Sequence, residues 1–230
     1  MFKKILLWFK SSNAKDTKKT SRKSPTPNAP KERTINSSRI GELGEYKINI
    51  QLDQLPKDTK YLTDIMIKNP KSRTGFSQID HIIVSAYGLF VIETKNYNGE
   101  IKGGRSDKYW RVSNRFNMFN PLKQNFGHIK ALERVLSELP DLLYISMVSF
   151  TMRCRFSIDP ELRKIESNEL IVYDTELSEF INRKINRIKA TSDKSLLTET
   201  EVQNIYEIIQ SSNITDPALR SEHVAKIKKE

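Results

Sequence analysis

Residues 79–92 limit the possible folds of this chain more than any other stretch. Two apolar runs, Ile79 to Ala86 and Leu89 to Ile92, flank Tyr87-Gly88. They are rich in β-branched and aromatic residues, which suit a pleated surface, and the glycine supplies the backbone freedom of a tight turn. The stretch therefore predicts a buried β-hairpin. Its open end is charged: Asp80 stands at the start of the first run, and Glu93-Thr94-Lys95 follows the second. Side chains alternate between the faces of a strand, so Glu93 and Lys95 share a face with Leu89 and Val91. A turn near Tyr87-Gly88 brings Asp80 roughly opposite Glu93 to Lys95. Ionisable groups at the ends of apolar strands are costly to desolvate unless they are paired or hold a cation. Two carboxylates and an ammonium on one surface are therefore the first candidates for chemistry.

The 230 residues leave room for one medium domain with appendages. Hydrophobic content of 37% against 29% charged residues indicates that part of the chain lies outside a packed core. Charge shows which part. Residues 1–35 hold ten Lys/Arg and two Asp/Glu, a net +8 of the total +11, so residues 36–230 carry only +3. The basic character is that of a tail, not of a folded DNA-binding body. Cys154 is the single cysteine, which excludes an internal disulfide and fits a reducing, cytoplasmic setting. No zinc spacing, repeat, phosphate-binding loop, dinucleotide fingerprint or nucleophile elbow is present.

Residues 1–36 read as a basic, disordered N-terminal tail. The apolar run Ile5 to Phe9 is too short for a secretory core or a membrane span. Flanking lysines leave open a weak contact of residues 1–10 with an anionic membrane surface, which would place the protein at the inner face of the membrane. The core is assigned to residues 37–152, and residues 153–230 to a C-terminal strand and helices that pack on it and end in a polar tail. A helix starts after Ser38, with Ile40, Leu43, Tyr46 and Ile50 recurring on one side. Thr59 to Lys68 reads as the first strand, and Asn69 to Gly75 as a turn whose Lys71 and Arg73 are candidates for phosphate contact. After the Asn96–Gly99 turn come a strand from Glu100 and another at Tyr109–Val112. There Tyr109 and Trp110 stand beside Arg105, Lys108, Arg111 and Arg115, a combination suited to stacking and phosphate contact on single strands. Asn120-Pro121 opens a helix whose apolar face is read as Leu122, Phe126, Ile129, Leu132, Val135 and Leu136. Gln124 and His128, four apart, lie one above the other on it. Leu142 to Phe150 reads as a buried strand closing the sheet, Glu169 to Tyr173 as another, and Glu176 to Ile188 and Thr198 to Ile209 as helices.

The ordered set Gly41-Glu42-Leu43-Gly44-Glu45, Gln78-Ile79-Asp80-His81, Gly88 to Asn96, and Asn120-Pro121-Leu122 with Gln124 and His128 resembles the nuclease-related domain (NERD) family of the PD-(D/E)xK nuclease superfamily. The resemblance covers roughly residues 38–150. It implies an α/β fold with a restriction-endonuclease-like mixed β-sheet flanked by helices, and metal-dependent hydrolysis of DNA phosphodiester bonds. It also implies that Glu45 leans over the site and that Gln124 orients a carboxylate, water or phosphate there. Asp80, Glu93 and the carbonyl of Thr94 are the hard oxygen donors that suit Mg²⁺ or Mn²⁺. The expected catalytic set is thus Glu45, Asp80, Glu93, Lys95 and Gln124, with Lys71, Arg73, Arg111 and His128 toward substrate. A DNA-binding protein that does not cut, or a membrane-associated interaction protein, stays open as the alternative. Deleting residues 1–35 should leave a cooperatively unfolding body in a thermal melt, while salt-sensitive association with DNA or anionic vesicles weakens because +8 of charge is removed.

Overall fold

The apolar hairpin lies inside the large sheet. The computed structural model describes residues 46–139 and 141–227. Strand β1 (Lys60–Lys68) pairs antiparallel with β2 (Phe76–Ser85), and β2 with β3 (Gly88–Lys95). Gly88 takes a φ of 127° just after the turn, and a Cβ there would meet the Leu143 carbonyl and the Ile145 side chain. β3 then pairs parallel with β7 (Tyr144–Phe150), and β7 with β9 (Glu169–Tyr173). The order β1-β2-β3-β7-β9 makes a mixed five-stranded sheet. β7 is therefore an inner strand, not the closing strand its sequence suggested. Its apolar residues are buried because sheet continues on both sides of it.

A second sheet of four strands grows out of the first: β4 (Gly99–Gly103), β5 (Tyr109–Val112), β6 (Phe116–Phe119) and β8 (Cys154–Ile158). Their order is β6-β5-β4-β8. The parallel pair β3/β7 bends after Lys95 and Phe150 and resumes as the parallel pair β4/β8. Backbone bonds from Thr151 to Lys95 and from Gly99 to Arg153 carry the ladder through the bend. β6 and β8 escaped the sequence reading because a four- or five-residue strand with mixed polarity has little periodic signal. Ser113 and Asn114, both at positive φ, make the tight β5–β6 turn.

Helices cover the large sheet. Residues 46–52 form helix α1, followed later by α2 (Pro121–Val135), α3 (Leu177–Thr191), α4 (Glu199–Ser211) and α5 (Pro217–Ile227). One core joins α2 and α4 to Leu89, Val91, Ile82 and Val84. The other joins α1 and α3 to Phe90, Ile92, Ile145 and Met147. This is the mixed α/β architecture expected of the chain. Three details differ from expectation. In α1 the buried residues are Ile48 and Leu52, whereas Tyr46 and Ile50 are exposed. α5, which periodicity did not find because its sequence is weakly amphipathic, takes in Lys226 and Ile227 from the presumed polar tail. In α2 the buried side includes Asn125 and His128, and Phe126 is turned to solvent at 55% exposure. The expectations for residues 1–45, including the helix start after Ser38, lie outside the described residues.

The orientation of α2 gives a direct test. Leu132→Ala, at a fully buried position, should cost about 2–5 kcal/mol, whereas Phe126→Ser should stay within about 0.5 kcal/mol of the parent in urea unfolding.

Candidate active site

The site forms where β2 and β3 leave the apolar core. His81 pairs with Ile92, so one step further along the antiparallel register Asp80 comes across from Glu93. Thr94 closes the gap: its N–H and its hydroxyl both donate to Asp80 Oδ2, at 2.7 and 2.6 Å. Glu93 and Lys95 continue the β3 face that carries Leu89 and Val91, and this face looks toward α2. From α2, Gln124 and His128 reach back, one helical turn apart.

Glu93 is the centre of the resulting network. Lys95 Nζ donates to its Oε1 at 2.6 Å, and Gln124 Nε2 donates to the same oxygen at 2.7 Å. Lys95 also donates to Gln124 Oε1 at 2.9 Å, which closes a three-membered ring of hydrogen bonds. His128 Nε2 lies 3.2 Å from Glu93 Oε2. With Glu93 ionised, only an Nε2–H can serve this contact, and that assigns the tautomer.

Two asparagines fix the helix over the network. Asn125 Nδ2 donates to the Val91 carbonyl at 2.7 Å and to Ser146 Oγ at 2.8 Å, which ties α2 to β3 and β7. Asn120 Oδ1 caps α2 by accepting from the Leu122 N–H at 2.9 Å, while its Nδ2 donates to the Asp107 carbonyl at 2.7 Å. The helix start is thereby fastened to the loop of the second sheet. Asn125 went unread in the sequence because its neighbours fit an apolar stripe through Phe126. A polar residue at a helical position between Leu122 and Ile129 was the available signal.

Electrostatics separates the two carboxylates. Burial by itself would raise the pKa of Glu93, which is only 4% exposed, but the Lys95 ammonium and the His128 hydrogen bond outweigh it and hold Glu93 down to about 2. Asp80 goes the other way. Burial and then the neighbouring Glu93 charge push it up to about 7, against the opposing Thr94 hydrogen bonds and Lys95. Lys95 would be lowered by burial, yet the Glu93 charge beside it leaves it raised, so it stays an ammonium at neutral pH. Two neighbouring carboxylates facing one cation have room for more positive charge, and a divalent ion would relieve the strain that raises Asp80. The donor set of Asp80, Glu93 and the Thr94 carbonyl fits a hard ion that keeps several of its waters. Among the described residues no group of three or more His, Cys, Asp or Glu forms a ready-made metal cluster.

The family model of the nuclease-related domain matches residues 40–151. An uncharacterized protein of Bacillus anthracis is 31% identical over 188 residues, which span 80% of this chain and 82% of the relative. The chain belongs to the nuclease-related domain family. No solved structure matches it. The matched NERD region contains the whole network from Asp80 to His128 and ends one residue after β7. Strands β8 and β9, which complete the two sheets, follow it. Among the described residues no helix is long and apolar enough to cross a membrane.

Of the residues singled out in the sequence, Asp80, Glu93, Thr94, Lys95, Gln124 and His128 come together. Glu45 lies outside the described residues. Lys71 and Arg73 sit in the β1–β2 loop, where Arg73 Nη2 donates to the Lys226 carbonyl of α5 at 2.8 Å. Arg111 lies on the second sheet, with Nη1 3.4 Å from Asn114 Oδ1. Among the described residues these three cations do not join the Glu93 network.

Asp80 makes the site a source of pH-dependent instability. Its folded pKa near 7 stands above its ordinary value of 3.8, so the folded state binds the extra proton and stability falls as pH rises from about 4 to about 7. Glu93 contributes with the opposite sign, and its stabilisation is lost only as pH falls through its ordinary value of 4.5 toward about 2. Asp80→Asn should therefore raise the melting temperature at pH 8 and change it little at pH 4. Mg²⁺ or Mn²⁺ should stabilise the parent more at pH 8 than at pH 5, as read by differential scanning calorimetry.

Proposed function

We propose that this protein is a metal-dependent nuclease that hydrolyses DNA phosphodiester bonds in DNA processing. The observation that carries the reading is the Glu93–Lys95–Gln124 ring with Asp80 across the strand pair. It is an acidic oxygen pair beside an ammonium held in its charged form, where β2 and β3 leave the apolar core. A purely phosphate-binding surface would bind better without the two carboxylates.

In this reading Asp80, Glu93 and the Thr94 carbonyl would hold Mg²⁺ or Mn²⁺, which would supply Lewis-acid stabilisation of the phosphoryl oxygen and make the attacking water more acidic. The residues of the chain do the rest. Lys95 remains an ammonium, so its contribution is a charged hydrogen bond to the attacking water or to a phosphoryl oxygen as negative charge grows there. It is not the proton acceptor. Gln124 holds both Glu93 and Lys95, so its amide fixes the distance between the carboxylate and the ammonium. His128 keeps the second oxygen of Glu93 turned toward α2 through its Nε2–H. Glu45 is assigned to the shell of the site, as the family resemblance implies, and acts as a further oxygen donor or proton acceptor.

The reading is tested with purified protein on linear, nicked, circular and single-stranded DNA and on RNA, each with Mg²⁺, Mn²⁺ or a chelator. Metal-dependent loss of DNA is expected, and its absence on every DNA substrate would overturn the proposal. Lys95→Ala should lower turnover about 100-fold or more while Mn²⁺ binding by calorimetry persists. If Lys95 is only the structural partner of Glu93, its removal should instead cost about 3–5 kcal/mol of stability, with residual activity following the folded fraction.

A further inference from the structure

The second sheet has a face that the proposed reaction does not use. Its inner side is packed: Ile101, Trp110, Val112 and Met118 join Leu122 of α2 and Val148 and Phe150 of β7 in one core. Trp110 is fully buried, and its indole N–H donates to the Gly104 carbonyl at 2.9 Å. A Cβ at Gly103 would collide with that indole, so the strand must carry glycine here. The aromatic pair read from the sequence, Tyr109 with Trp110, is therefore divided between the two sides of the sheet.

On the outer side the structure builds a different pair. Tyr109 is opposite Phe119 in the β5–β6 ladder, and both are about half exposed. Their rings meet edge to face at 6.2 Å. Lys108 Nζ lies 5.4 Å from the Tyr109 ring centre. Beside Tyr109 is an open concavity of about 730 Å³ whose lining carries the cations Lys102 and Arg111 and the carboxylates Glu100, Asp107 and Asp159. The three carboxylates each have a partner within the fold. Asp107 accepts from the Gly104 N–H, Asp159 from the Arg105 N–H, and Glu100 faces Arg155 at 4.0 Å. Lys102, Lys108 and Arg111 have no carboxylate partner among the described residues. Exposed rings thus stand next to cations that no described carboxylate pairs, on a short, open sheet.

We propose that this outer face binds single-stranded DNA, with unpaired bases on Tyr109 and Phe119 and phosphates on Lys102, Lys108 and Arg111. The chemistry favours a single strand over a duplex. Rings lying on a sheet offer a stacking surface, which only unpaired bases can use, and stacking tolerates any sequence. The cations then follow the backbone, a contact that weakens with salt. The proposal deepens the nuclease reading, from which it takes its ligand: the strand would be held on the sheet that continues directly from Glu93-Thr94-Lys95.

The test uses the full chain, a fluorescein-labelled oligothymidylate and a labelled duplex, with anisotropy measured in chelator so that cutting is not read. The paired change Tyr109→Ser with Phe119→Ser should weaken oligothymidylate binding about 10-fold or more and leave duplex binding unchanged. The paired change Lys102→Gln with Arg111→Gln should weaken it too and flatten its salt dependence, without touching the cross-strand ring pair. Thermal melts check that both variants fold. Unchanged affinity for oligothymidylate in the two variants, or equal losses on single strand and duplex, would overturn the platform. A parent that binds oligothymidylate in this way and cuts nothing with Mg²⁺ or Mn²⁺ would overturn the nuclease reading alone. A parent that cuts while the ring variant binds as before would overturn the platform alone.

Discussion

Burying a carboxylate inside a β-sheet is the constraint on which this molecule depends. Glu93 is nearly inaccessible, and an unpartnered charge there would cost several kcal/mol. It has three partners, and each belongs to a structural decision. Lys95 is two residues along the same strand, so the alternation of β3 delivers it without further organisation. Gln124 and His128 come from α2, so the helix must cross the sheet with that side down. Once it does, Asn125 falls over the Val91 carbonyl and Phe126 is turned outward. The polar network and the orientation of the helix are one event.

The same strand end also determines where the second sheet begins. β3 and β7 run parallel to Lys95 and Phe150, bend, and resume as β4 and β8. A sheet that continued straight would extend flat past the carboxylates. The bend instead places the small sheet beside the start of α2, where Asn120 binds helix and loop together. The charged residues therefore lie at a corner, supported on one side by the large sheet and α2 and bordered on the other by Tyr97, whose own pKa is raised first by burial. Corners of this kind hold side chains rigidly, which is what an electrostatic site requires.

Much of this was legible in the chain itself. The hairpin β2–β3, its turn at Gly88, and the meeting of Asp80 with Glu93 and Lys95 follow from a period of two and the cost of burying charge, both of which act between near neighbours. So do the Asn120 cap and the pairing of Gln124 with His128 on one side of a helix. Tertiary structure alone decided the rest. Whether Phe126 or Asn125 is buried depends on what lies beneath α2, and both fit the helical period equally well. That Phe119 is the ring beside Tyr109 depends on the β5–β6 register, and that Trp110 is the buried one depends on which side of the small sheet meets Leu122. The Lys71, Arg73 and Arg111 charges were locally equivalent candidates for phosphate; α5 engages Arg73, and the bend carries Arg111 to the outer face where the proposed single strand would meet it. Local periodicity determines which residues share a side, because it is a property of the strand or helix alone. Which side becomes the interior is chosen by distant partners, and the strength of a charge by how many of them surround it.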